Sequence, residues 1–66
     1  MNPLAIAEKL KQLRGDKTLE AVSIDTGLSV SALSNYEQGI RIPRDEVKVT
    51  LAQYYGMSVQ DIFFAD

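Results

Sequence analysis

The chain of 66 residues contains no cysteine, no histidine and no tryptophan, and it has only two prolines. Without cysteine there is no disulfide framework, thiolate metal site or thiol nucleophile. Without histidine the commonest general base and the commonest zinc ligand are both missing. Long apolar runs are missing too: Ile62-Phe63-Phe64-Ala65 is among the longest, far below the ~20 residues that span a bilayer. The opening Met1-Asn2-Pro3-Leu4 has no basic segment followed by an apolar stretch, so no signal peptide is expected. A soluble, cytoplasmic protein with no membrane association is the expectation. Cations are scarce as well. Seven Lys and Arg face nine Asp and Glu, a formal charge of -2, which is unusual for a partner of nucleic acid.

Catalysis is not expected. A domain this small buries only about 60 % of its unfolded surface, which leaves little depth for a cleft. The five serines have no imidazole to activate them, and Asp45 and Glu46 are consecutive, so on a helix they diverge. The chain has no Gly-rich phosphate loop and no metal-ligand spacing, so neither a metal, a cofactor nor a small-molecule ligand is expected.

What the chain does have is an ordinary globular balance, 45 % apolar and 24 % charged, in helical patterns. Asn2-Pro3 reads as a cap followed by proline at the first helical position. Ile6, Leu10 and Leu13 then recur on one face until Gly15-Asp16. Thr18 caps a second helix carrying Leu19, Val22 and Thr26, stopped by Gly27. Ser29 caps a third, burying Leu33 and Tyr36 and ending at Gly39. Two helices joined through Gly27-Leu28-Ser29 make a helix-turn-helix.

Beyond Ile40-Arg41-Ile42-Pro43, the segment Val47-Lys48-Val49-Thr50-Leu51 alternates like a strand. Asp45 and Glu46 before it and Gly56 after it instead match the two ends of a helix dipole, so a fourth helix is expected. Ser58, with Asp61 three residues later, opens a fifth, whose Ile62 and Phe63 close the core. The fold expected is all-α, a compact five-helix bundle. One domain spans 1–66, with the helix-turn-helix motif at about 18–38.

Three stretches in register resemble the phage-repressor-like, or xenobiotic-response-element (XRE), family of helix-turn-helix regulators. The first is Val22, Ser23, Gly27, Leu28, Leu33 and Tyr36, with a small residue four before the turn glycine. The second runs from Ser34 through Tyr36-Glu37-Gln38-Gly39 to Pro43, and the third is Tyr55-Gly56-Met57-Ser58 through Asp61-Ile62-Phe63. Together they cover about Ile6 to Phe64. The chain departs from the family in the short link Gly15-Asp16-Lys17, in Leu19 where Gln is usual, in Thr26 for Leu, and in Asp45 and Lys48 at positions often apolar.

The resemblance implies a lambda-repressor-like DNA-binding domain whose third helix enters the major groove. Carried over, the base-contacting positions are Val30, Ser31 and Asn35. Their chemistry agrees, since Asn takes an adenine edge, Ser donates or accepts, and Val packs on a thymine methyl. The stretch from Ser29 to Gln38 carries one acid, Glu37, and no cation. Backbone contacts would therefore come from Lys17, Arg41 and Arg44, and from Thr18 and Ser29 at helix N-termini. The resemblance also implies a structural ion pair between Arg14 and Glu37. It implies a homodimer through the last helices, with Tyr54, Tyr55, Phe63 and Phe64 as candidates and core packing as the competing role of Phe63. The expected function is a transcriptional repressor that binds a palindromic operator in double-stranded DNA.

Plainer roles compete. Ser31, Ala32, Ser34 and Asn35 could be a solvated face, but a short helix with few long charged side chains has little i,i+4 support there. Val30 and Ile24 would be isolated exposed apolar residues, which are common. The acids Glu8, Glu20, Asp25, Asp61 and Asp66 are expected away from the groove-facing side. The alternative function is a protein–protein module of the same fold, such as an antitoxin or accessory factor, with little DNA contact of its own.

Overall fold

The computed structural model describes residues 2–64. Met1, Ala65 and Asp66 lie outside them, and with Asp66 the expectation for its charge. Five helices follow in order: α1 Pro3–Arg14, α2 Leu19–Thr26, α3 Val30–Glu37, α4 Asp45–Tyr55 and α5 Gln60–Phe64. Among the described residues no strand forms.

Local chemistry accounts for most boundaries. The Asn2 side chain accepts from the backbone N–H groups of Leu4 and Ala5 at 3.0 and 3.3 Å, and Pro3 has no N–H to satisfy. Thr18 Oγ1 accepts from Ala21 N at 3.0 Å, and Ser29 Oγ accepts from Ala32 N at 3.0 Å. The ambiguous segment after Pro43 is helical, with Asp45 and Glu46 in the first turn of α4, where the dipole favours acids. α4 has no side-chain cap, since Arg44 at that position accepts nothing. α5 is one turn of π-type helix, a wider winding than the α-helix expected from sequence. Ser58 Oγ starts it by accepting from Asp61 N at 3.0 Å.

The core draws on every element: Ile6 and Leu10 of α1, Val22 of α2, Leu33 and Tyr36 of α3, Leu51 and Ala52 of α4, Ile62 and Phe63 of α5. Burying each large apolar side chain contributes about 1.5–3 kcal/mol. Lys48, which interrupts the α4 stripe, is also buried. Its ammonium sits 5.2 Å over the Phe64 ring, with Asp45 at 3.5 Å.

Geometry calls for glycine at both ends of the α3 region. Gly27 ends α2 at φ 77°, a left-handed conformation that turns the chain directly into α3. Thr26 completes that turn, its hydroxyl donating to Val22 O at 2.7 Å and accepting from Leu28 N at 3.2 Å. Thr26 is thus a turn-closing residue and not part of an apolar stripe. Gly39 has φ 74°, and a Cβ there would lie 3.0 Å from Leu4 Cδ2, so α1 and the end of α3 approach closely at that point.

Candidate nucleic-acid interface

α3 is held from three directions. Leu33, Tyr36 and Glu37 face inward. Glu37, although charged, has a side chain only 8 % exposed. Arg14, from the last turn of α1, supplies its partner. Arg14 Nε donates to both Glu37 oxygens at 3.1 and 2.8 Å, and Nη2 donates to Oε1 at 2.9 Å. The same guanidinium donates through Nη1 to Lys17 O at 2.6 Å, which fixes the α1–α2 link. The carboxylate raises the Arg14 pKa further above its ordinary value, chiefly through these hydrogen bonds. Such a pair fixes the rotation of α3 about its own axis.

The outward side of α3 follows from that rotation. At about 100° per residue, the direction opposite the three buried side chains is centred near Ser31. Asn35 lies about 40° to one side of it and Val30 about 100° to the other. Ser31 is exposed and Asn35 partly so, and the two are neighbours on one face. Val30, expected to be exposed, is half-buried at the margin of that face.

The loop after α3 is hung on the same helix. The backbone carbonyl of Asn35 accepts from Ile40 N at 3.0 Å and Arg41 N at 3.4 Å. Arg41 is therefore anchored at the C-terminal end of α3, and it is exposed. Pro43 is fully buried and pins the loop's far end. Arg44 is exposed and pairs with Glu46 at 3.8 Å, a surface contact worth little. Thr18 and Ser29 sit at the N-termini of α2 and α3 with their hydroxyls engaged as caps.

Lys17 is engaged within the chain. Its ammonium donates to Tyr54 Oη at 3.0 Å and lies 4.9 Å from that ring's centroid. The Tyr54 hydroxyl donates in turn to Asp25 Oδ2 at 2.7 Å. The Tyr54 hydrogen bond pushes the Lys17 pKa up. A residue expected at DNA phosphates and one expected at a dimer interface therefore bind each other, tying α4 to α2 and to the link before it. Neither partner was legible for this role, because they lie 37 positions apart in the chain.

The four aromatic dimer candidates differ in burial. Phe63 is 2 % exposed and belongs to the core, which corrects its assignment to an interface. Tyr54 packs edge-on against Tyr55, ring centroids 5.0 Å apart. Tyr55 is half-buried, and burial, reinforced by Glu37 and Tyr54 and opposed by Arg14, pushes its phenol pKa up to about 12. Phe64 alone is largely exposed, at 44 %.

Two short helices joined through a left-handed glycine, the second locked by a part-buried ion pair with its polar side outward, define a helix-turn-helix domain. The chain belongs to the helix-turn-helix domain family, whose model matches residues 5–62 and which is found in XRE-like transcription regulators. Membership points to DNA as the partner and to regulation as the role. No curated protein and no solved structure matches the chain significantly. Among the described residues no helix is long and apolar enough to cross a membrane.

Proposed function

We propose that the chain is a sequence-specific DNA-binding regulator, a repressor in the cytoplasm and not an enzyme, which inserts α3 into the major groove. The observation that carries this reading is the uncharged polar face of Ser31 and Asn35 on a helix whose rotation is fixed by Arg14–Glu37. Asn35 would take an adenine edge, Ser31 an adjacent donor or acceptor, and Val30, from the margin, a thymine methyl. Arg41 and Arg44 would neutralise phosphates on either side of that helix's end, with backbone N–H groups beside Thr18 and Ser29 adding neutral phosphate contacts. Lys17 would join them by exchanging Tyr54 for phosphate.

Few cations per subunit mean weak binding per subunit. A homodimer on a palindromic operator, its half-sites one helical turn apart, would compensate. Phe64 and the rim of Tyr54 and Tyr55 are the aromatic surface available to it. A second reading, a protein-binding module of the same fold, is favoured by the exposed Ile24 (82 %), Leu4 (71 %) and Ile40 (68 %) and by the absence of cations from α3.

Selection from a random duplex pool tests the first reading. Recovery of a palindromic consensus supports it. Failure to enrich any sequence at low salt would sink it in favour of the second. With the consensus in hand, Asn35→Ala should relax preference at one base pair per half-site by about 1–3 kcal/mol.

A further inference from the structure

Gln38 stands just past the last residue of α3, in helical conformation at φ -98° and ψ -3°. Continuing the helix at about 100° per residue, it falls about 20° from Ser31, on the outward face and on the side of Ser31 away from Asn35. It is exposed, and one hydrogen of its amide is committed: Nε2 donates to Ser34 Oγ at 2.6 Å. Ser34 lies one turn earlier, about 60° from Ser31 on the same flank.

We infer that Gln38 is a specificity-determining residue of the DNA interface, its amide held by Ser34 so that it reads an adenine edge. The inference rests on the proposal that α3 faces the major groove. An amide carries two N–H donors and one acceptor oxygen. With one N–H given to Ser34, Gln38 keeps one donor and the oxygen, the pair that the N7 acceptor and N6 donor of adenine require. A free glutamine would lose rotamer freedom on docking, and the Ser34 bond has removed part of that freedom beforehand. The outward strip then contains Ser31, Asn35 and Gln38, three polar residues without a charge among them.

The test compares the duplexes selected from a random pool by the wild-type chain, Gln38→Ala and Gln38→Glu. The expected result for Gln38→Ala is loss of adenine preference at one base pair per half-site, by roughly 5- to 150-fold, with other positions unchanged. Gln38→Glu should move the preference at that pair toward cytosine, whose exocyclic amine it can accept. Ser34→Ala should weaken the same preference and add nothing in the Gln38→Ala background. A uniform loss of affinity over all sequences, or no change, would overturn the assignment while leaving Asn35 and the proposed function intact. If the wild-type chain selects no sequence, the proposed function fails and this assignment fails with it.

Discussion

The helix-turn-helix half and the C-terminal half of this molecule are built on different principles. In the first, bonds between side chains and nearby backbone set each boundary: Thr18 caps α2, Thr26 closes the turn, Ser29 caps α3. In the second, α4 starts without a side-chain cap, and α5, although Ser58 caps it, is a single π turn. That half depends on Leu51, Ile62 and Phe63 joining the shared core, with α4 packed against α2 and α5 against α1. It also holds a buried lysine and its one largely exposed aromatic, Phe64. The boundaries of α2 and α3 are thus set locally, while the rotation of α3 through Arg14–Glu37 and the placement of the other half come from tertiary packing.

The largest test of this contrast uses two adjacent phenylalanines. Phe63→Ala should cost about 3–5 kcal/mol in urea unfolding, and Phe64→Ala less than about 1. Equal costs would contradict the placement of α5. Next comes Arg14→Ala, which strands the Glu37 carboxylate. Because Arg14 is partly exposed and its pair partly screened, a loss of about 2–3 kcal/mol is expected. A change below about 0.5 would make the pair an ordinary surface contact.

Ser29→Ala should then cost about 1 kcal/mol through the lost cap. Arg44→Ala, at the uncapped start of α4, should leave stability within about 0.5 kcal/mol while weakening DNA binding. An effect confined to alkaline pH concerns Tyr55. Its phenol keeps its proton to about pH 12 in the folded chain but titrates near 10.0 when unfolded, so the folded state binds more protons between those values. Stability should be unaffected below about pH 10 and fall as pH rises toward 12. Tyr55→Phe should flatten that decline in a urea midpoint series, and an unchanged decline would assign it to other groups.

Most of the first half was legible because its causes are local. Asn2-Pro3, Thr18, Gly27 and Ser29 announce their roles within three or four positions. The Arg14–Glu37 pair spans 23 positions and was reached only through the resemblance to XRE-like regulators. The Lys17–Tyr54–Asp25 chain was not reached, nor was the burial of Lys48 against Phe64. Each needs two distant elements placed in space before the contact exists. Which of Phe63 and Phe64 turns inward is equally tertiary, because the winding of one short helix decides it. The Ser34–Gln38 bond is a different case: its i,i+4 spacing was visible in the sequence.

The proposed binding of DNA by a chain of net charge -2 relies on a neutral face of α3 flanked by a few cations. Its most direct test is the affinity of the wild-type chain and of Arg41→Ala for the selected duplex across a salt series. Affinity for wild type should fall linearly on a log–log scale, and Arg41→Ala should weaken binding and lower the slope by about one per bound subunit. Binding that is absent at low salt, or indifferent to salt and to Arg41, would contradict it.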